Sequence, residues 1–192
     1  MDRFFHYWQQ RLSISAEVRH YIRCHAEVID YPSGDHFMQF GERRPYWCMV
    51  LEGLTYGYIL LKDGRRRILW FAQPMQGFAG VQHLYTPQRA DHAIRFVLPT
   101  TILRITALRM REAKERYPEV SELLHIHEQR YIRRQAKTIR ILAQPDTRER
   151  YAAFLTAFPE IAAATTGQEQ ADFLNMGRTK LVEARTWMLQ QK

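Results

Sequence analysis

The sequence has few cysteines and no long apolar run, and each of these shortages excludes a class of protein. Its two cysteines, Cys24 and Cys48, are too few for an iron–sulfur cluster held by four thiolates. One disulfide between them stays open, although buried free thiols are the simpler interpretation. No apolar stretch approaches the roughly 18 residues of a membrane-spanning helix, and the N-terminus lacks the apolar core of a signal peptide. We therefore expect a soluble, cytoplasmic protein without membrane contact.

Acidic residues are also in short supply relative to basic ones. The chain of 192 residues has 20 Asp and Glu against 28 Lys and Arg, which gives a formal net charge of +8. Such a balance favours nucleic acid or another polyanion as a partner. The hydrophobic fraction of 46% is enough for a folded core, in one large domain or two small ones.

The middle of the chain, from about residue 27 to residue 106, consists of short strand-like runs separated by turn signals. The sharpest signal is Asp63-Gly64, which lies between two apolar runs and predicts a β-hairpin. Many short strands with closely spaced turns indicate a sandwich, roll or barrel. The preceding residues 3–26 have a helical pattern, with Ser13 or Ser15 as the candidate N-cap.

Beyond residue 106 the pattern is helical. Residues 119–143 contain neither Gly nor Pro and predict one helix of about seven turns. Two capping boxes follow, Asp146 with Glu149 and Thr166 with Glu169, and each predicts the start of a further helix.

The long helix carries a stripe whose members recur at alternating spacings of three and four residues. This spacing predicts the seam of a two-helix coiled coil, and therefore a homodimer. The stripe comprises Val120, Leu124, His127, Tyr131, Arg134, Thr138 and Ile141. From it we assign a dimer interface of Leu124, His127, Tyr131, Arg134 and Thr138.

Residues 166–185 predict two helices joined by a tight turn. Asn175 stands at the turn and tolerates the left-handed conformation, and Gly177 can cap the second helix. With Leu181 and Ala184 facing inward, the basic and polar residues of the second helix point outward.

These outward residues are Arg178, Thr179, Lys180 and Arg185. The N-terminal side chains of a recognition helix contact base edges in the major groove, where Arg pairs with guanine. Lys and Thr side chains suit phosphates. The alternative is a plain helical hairpin with a solvated basic face.

The order of these motifs resembles the Crp/Fnr family of bacterial transcription regulators over nearly the whole chain. Gln168-Glu169, then Ala171, the turn and Arg178 match the helix-turn-helix of that family in step. Upstream, the stretches that resemble its sensor domain are Tyr31–Asp35, Val50–Leu54, and Leu69–Ala72 followed by Gly77.

The resemblance implies roles for single residues. Arg178 takes the place of the arginine that reads a guanine, Thr179 lies at a base-contacting position, and Lys180 and Gln168 lie at phosphate-contacting positions. Glu183 departs from the pattern, because the family often has a DNA-contacting arginine there. The residues we assign to DNA binding are Gln168, Gly177, Arg178, Thr179, Lys180 and Arg185.

The resemblance also implies an α+β architecture in three parts. Residues 1–118 are expected to form N-terminal helices and a double-stranded β-roll, a cupin-like sensor domain. Residues 119–143 are the dimerisation helix, and residues 144–192 are the helix-turn-helix domain, with little or no wing because the chain ends soon after the recognition helix.

A sensor domain of this family implies a ligand. In this sequence, however, the positions that match the phosphate site of the family's cyclic-nucleotide-binding members hold different residues. Their arginine position falls at Asp91, which would repel a phosphate. We therefore expect an unidentified small ligand rather than cyclic AMP, and no metal or other cofactor; His83 and His92 could line a polar pocket. The expected ligand pocket is Gly77, Phe78, Ala79, Gly80, Val81, Gln82, Asp91, His92 and Ala93.

The leading hypothesis is a homodimeric DNA-binding transcription regulator that is not an enzyme. Its expected partners are double-stranded DNA, a small effector and RNA polymerase. The alternative is a ligand-sensing or interaction protein that has lost specific DNA binding, which Glu183 and the missing wing would favour. A cupin-type enzyme needs clustered His and carboxylate ligands, and His36, His83 and His92 contain no H-x-H motif.

Overall fold

The computed structural model describes residues 1–80 and 89–190, and the chain divides into two compact units. Unit 1 comprises Met1–Tyr56 and Ala72–Tyr131, and unit 2 comprises Gly57–Phe71 and Ile132–Lys192. Within the described residues the helices are α1 (Asp2–Gln9), α2 (Ala16–His25), α3 (Ala107–Arg116), α4 (Pro118–Leu142), α5 (Thr147–Ala157), α6 (Pro159–Ala164), α7 (Gly167–Leu174) and α8 (Arg178–Gln190). The strands are β1 (Ala26–Tyr31), β2 (His36–Met38), β3 (Tyr46–Glu52), β4 (Thr55–Leu60), β5 (Arg66–Ala72), β6 (Gly77–Ala79), β7 (Ala93–Phe96) and β8 (Thr100–Thr106).

The strands form two four-stranded sheets, in the orders β1-β8-β3-β6 and β2-β7-β4-β5. The pairs β1·β8, β3·β8, β3·β6 and β2·β7 are antiparallel. Strand β8 lies between β1 and β3 and pairs with both. Its Ile105 is opposite Ala26 of β1 on one side and opposite Trp47 of β3 on the other. The combination of helices with antiparallel sheets of short strands is as expected.

The hairpin predicted at Asp63-Gly64 joins β4 to β5. Gly64 has a φ of +79°, a left-handed conformation that glycine adopts without strain. Its N–H donates to the carbonyl of Leu61, and the N–H of Leu61 donates to the carbonyl of Arg65 across the turn at 2.8 Å. This hairpin belongs to unit 2 with the C-terminal helices, whereas the sequence-based division placed it in the sensor domain.

Two apolar clusters fill unit 1. One lies between the sheet β1-β8-β3-β6 and the helices, where Trp8 packs with alternate residues of β3 such as Trp47 and Met49. The other is aromatic and connects β1, β2, β6 and β7: the Tyr31 ring stacks on Phe96 at 4.4 Å, and the Phe37 ring meets Phe78 edge-on at 5.3 Å.

Helix boundaries follow the predicted caps. Ser15, one of the two candidates, accepts a hydrogen bond from the backbone at the start of α2, and Asp146 does the same for α5. Thr166 and Glu169 form both bonds of the predicted capping box at α7. Among the described helices, none is both long and apolar enough to cross a membrane.

The two cysteines differ in exposure. Both are free; Cys48 is buried in β3, and burial raises the pKa of its thiol well above the ordinary value. Cys24, which we also expected to be buried, is exposed on α2. The range 3–26 contains two helices, α1 and α2, rather than one continuous helical stretch, and Cys24 falls on the solvent side of α2, away from the buried Val18 and Ile22.

Candidate nucleic-acid interface

The turn between α7 and α8 has the conformation that Asn175 was expected to supply. Asn175 has φ +55° and ψ +46°, and its N–H donates to the carbonyl of Ala171. The guanidinium of Arg150, from α5, donates to the carbonyls of Leu174 and Asn175 at 3.1 and 3.4 Å. Because the last carbonyls of a helix have no partner inside it, Arg150 stabilises the end of α7 and the turn.

Helix α8 packs through small and apolar side chains, as the spacing predicted. Leu181 and Ala184 are buried, as is Ala171 on α7. An aromatic cluster of α5, α7 and the residue between α5 and α6 adds to the core of this unit, and its members are Tyr151, Phe154, Phe158 and Phe173. The position of α8 is therefore set by a packed core rather than by the turn alone.

Five of the six residues assigned to DNA binding are exposed. Gln168 lies in the first turn of α7, and Arg178, Thr179 and Lys180 form the first turn of α8. A Cβ atom at Gly177 would meet no atom within 4 Å, so the surface beside Arg178 is open.

Arg185 is the exception, because it is only partly exposed and has partners inside the unit. Its Nε donates to the hydroxyl of Tyr151 at 3.2 Å, and its Nη2 donates to Oε1 of Gln170 at 2.8 Å. Gln170 is only 2% exposed, so its oxygen needs this donor. Arg185 thus connects α8 to α5 and α7 inside the unit through its Nε and Nη2 atoms.

Two further residues, Glu183 and Val182, lie on the outward face of α8. Glu183, the departure from the family pattern, forms an ion pair with Lys180 at 2.7 Å. Val182 is 54% exposed and stands one turn after Arg178, on the same face. Sequence reasoning did not single out Val182, although its spacing of four from Arg178 could have done so.

Comparisons with known proteins bear on the fold. A scan against family models found no match, and a search of curated proteins found none in sequence. Among solved structures, FixK2 from Bradyrhizobium japonicum matches with a TM-score of 0.72 and 21% identity, over 86% of this chain and 85% of that one. CLP, a c-di-GMP responsive global regulator from Xanthomonas campestris, matches with a TM-score of 0.73 and 14% identity, over 92% and 93%. TTHA1359, a CRP/FNR family transcriptional regulator from Thermus thermophilus, matches with a TM-score of 0.66 and 16% identity, over 86% and 87%.

The chain has the Crp/Fnr fold. Each of these matches extends over 86% or more of the chain, so they agree with the order of elements that the motifs predicted.

The long helix α4 buries part of the stripe from which the dimer interface was assigned. Val120, Thr138 and Ile141 are buried within their own chain, and the ring of His127 lies 5.5 Å from that of Trp47. Thr138 therefore offers almost no surface to a second copy. The exposed apolar side chains are Tyr131, Ile132 and Ile139.

The described residues of the expected ligand pocket pack against other side chains of unit 1. Gly77 packs against His127, where a Cβ would collide with the ring, and Gly80 packs against Arg44 and Phe37. Phe78 fills the aromatic cluster with Phe37, and the side chain of Ala79 is half-buried.

At the other end of the expected pocket, Ala93 is buried in β7. Asp91 is an exposed carboxylate 3.1 Å from Nδ1 of His92. Val81, Gln82 and His83 lie outside the described residues. Residues 1–80 and 89–190 hold no group of three or more His, Cys, Asp or Glu placed to bind a metal ion.

The internal role of Arg185 predicts the effect of its removal. Arg185→Met leaves the buried oxygen of Gln170 without this donor, so we expect the free energy of unfolding to fall by about 1–3 kcal/mol. Urea denaturation measures this, with Arg178→Met as the matched control, expected within about 0.5 kcal/mol of the unmodified chain. Equal effects of the two variants would contradict the internal role.

Proposed function

We propose that this protein is a homodimeric DNA-binding transcription regulator of the Crp/Fnr type. One observation carries the proposal: Gln168, Arg178, Thr179 and Lys180 stand exposed at the starts of α7 and α8 while the opposite faces of both helices are buried. A recognition helix presents its N-terminal side chains to base edges in this way.

The exposed face of α8 suggests which contacts read sequence. Arg178 is suited to a bidentate pair with guanine, and the methyl groups of Val182 one turn later are suited to the methyl group of thymine. Lys180 and Gln168 are suited to phosphates, which set register and affinity but carry no sequence information.

A homodimer would form along α4, on the stripe of Ile132, Ala136 and Ile139. Ile132 and Ile139 are 63% and 65% exposed, and spacings of four and three put the three residues on one face. Exposed isoleucines on a long helix favour a coiled-coil partner of the same kind. Two copies would then present two α8 helices to half-sites about 34–36 Å apart.

The effector is proposed to be a small ligand other than cyclic AMP. Phe78 occupies the interior near the expected phosphate turn, and the exposed Asp91 carboxylate would repel a phosphate. Among proteins with this fold, CLP is a c-di-GMP responsive regulator and CprK is described in complex with OCPA, so the fold itself does not select one ligand. RNA polymerase would be the further partner of such a regulator.

A second candidate function is a ligand-sensing or interaction protein without specific DNA binding. The Lys180–Glu183 ion pair favours it, because Glu183 places a negative charge on the outward face of α8 and engages the nearest lysine. Selection of binding sequences from a random DNA pool separates the two functions. Enrichment of a near-palindrome supports the regulator, and no enrichment supports the second candidate.

Two variants of α8 test whether Arg178 recognises base sequence while Lys180 binds phosphate without regard to sequence. Arg178→Ala should cost about 1–3 kcal/mol on the selected site and relax the preference for one base pair per half-site. Lys180→Ala should weaken binding to all sequences alike and reduce the slope of affinity against salt. Fluorescence anisotropy on selected and scrambled duplexes measures both. Equal losses on both duplexes for Arg178→Ala would refute direct readout.

The α4 stripe predicts a monomeric variant. Replacing Ile132 and Ile139 together by Glu puts like charges at the proposed seam, so sedimentation at micromolar concentration should give monomers. The control replaces two comparably exposed leucines elsewhere, Leu108 and Leu189, by Glu, and it should remain dimeric. If the unmodified chain sediments as a monomer, the homodimer proposal is wrong; a dimeric Ile132 and Ile139 variant would shift the seam towards Leu124 and Tyr131.

The altered phosphate site predicts no response to cyclic nucleotides. A ligand at millimolar concentration with micromolar affinity would stabilise the native state by about 4 kcal/mol. We expect the melting temperature to stay unchanged with cyclic AMP or cyclic GMP. A rise of several degrees would show that our interpretation of Asp91 is incorrect.

A further inference from the structure

The hairpin of β4 and β5 and the first helix of the helix-turn-helix are parts of one compact unit. Three contacts join β5 to α7. Nε of Arg66 donates to Oδ2 of Asp172 at 2.7 Å, and Nη1 of Arg67 donates to the Asp172 carbonyl at 3.3 Å. The rings of Phe71 and Phe173 meet edge-on at 5.0 Å.

The carboxylate of Asp172 is the centre of this contact. Its side chain is 10% exposed, and that of Arg66 is 22% exposed. While Oδ2 receives Arg66, Oδ1 accepts a hydrogen bond from Nε2 of Gln168 at 2.7 Å. Both oxygens are thus engaged, one by the hairpin and the other by the residue one turn earlier on α7.

Gln168 connects this contact to the proposed DNA surface. It is exposed in the first turn of α7, at a proposed phosphate contact. Asp172 follows it by four residues, so the carboxylate lies one helical turn behind the phosphate site. A negative charge at that distance repels DNA unless a cation neutralises it, and Arg66 is the cation that forms an ion pair with this carboxylate.

Arg66 is itself held in a defined position. Its guanidinium lies 5.9 Å from the ring centroid of Tyr58, on the neighbouring strand of the hairpin. Arg65, the next residue towards the turn, is 72% exposed in its side chain and pairs with Asp63 at 2.7 Å. The two arginines are therefore adjacent in sequence but differ in partner, which gives a matched control.

We propose that Arg66 is a positioning residue for DNA binding: through Asp172 it orients Gln168 and cancels a negative charge behind the phosphate contact. This inference rests on the DNA-binding function proposed above. It assigns part of the interface to a hairpin far earlier in the chain, since the two paired residues are 106 positions apart.

The test is a double-mutant cycle in the full chain, read by fluorescence anisotropy on the duplex selected by the unmodified protein. Arg66→Gln should lower affinity about tenfold, which is about 1.4 kcal/mol, because the carboxylate loses its ion pair. In an Asp172→Asn background the same change should alter affinity less than about twofold, since no charge remains to cancel. Arg66→Lys should keep affinity within about threefold, and Arg65→Gln should leave it unchanged.

Gln168→Ala supplies a readout that a purely structural role would not move. It should weaken binding in the unmodified chain but have little further effect in Arg66→Gln, where Gln168 has already lost its orientation. Melting curves check that each variant is folded at the assay temperature, and Arg66→Lys keeps the charge if Arg66→Gln is not folded.

The outcomes separate the inference from the proposed function. An unmodified protein that selects no sequence overturns both. Selection by the unmodified protein together with unchanged or tighter binding by Arg66→Gln overturns only the role of Arg66. An equal loss with Asp172 present and in the Asp172→Asn background would also overturn it, because Arg66 would then act without that carboxylate.

Discussion

Helix α7 buries two polar side chains, Gln170 and Asp172, and the C-terminal unit is organised around pairing them. A buried polar group without a partner is costly. Arg185 from α8 supplies a donor for Gln170, and Arg66 from β5 supplies a donor for Asp172. Because the two arginines come from different elements, pairing both fixes α7 relative to α8 and to the hairpin, and a third arginine, Arg150, satisfies its last carbonyl.

This pairing also decides which charges remain on the surface. The chain has an excess of basic residues, yet several of the arginines near the helix-turn-helix are directed inward. Two exposed basic residues, Arg178 and Lys180, lie in the first turn of α8. The net charge of the sequence is thus a poor guide to the proposed interface, because the buried partners determine which basic residues stay on the surface.

In unit 1 the comparable constraint is the packing of apolar side chains. Phe78 belongs to an aromatic cluster drawn from four strands, and Gly77 is small because the ring of His127 occupies the space beside it. Both residues were expected to line a ligand pocket on the strength of resemblance. Both residues have packing partners inside unit 1, while the segment that includes Val81 and Gln82 lies outside the described residues.

The stripe on α4 illustrates what the periodicity of the sequence can and cannot predict. The absence of Gly and Pro from residues 119–143 correctly indicated one long helix, but this helix has two stripes, a buried one through Thr138 and Ile141 and an exposed one through Ile132 and Ile139. Periodicity does not say which stripe faces the chain's own core. That choice depends on what packs against α4, and no local pattern contains it.

Local signals determined much of this protein from sequence alone: the hairpin at Asp63-Gly64, the caps at Ser15, Asp146 and Thr166, the turn at Asn175 and the inward residues Leu181 and Ala184. Each depends on residues within about one turn of one another, where conformational preference and spacing act directly. The direction of Arg185, the stripe that α4 exposes and the pairing of Arg66 with Asp172 were decided only by the tertiary structure. The two arginine pairings join residues 15 and 106 positions apart, and burial, which sets the cost of leaving a polar group unpaired, exists only once the chain has folded.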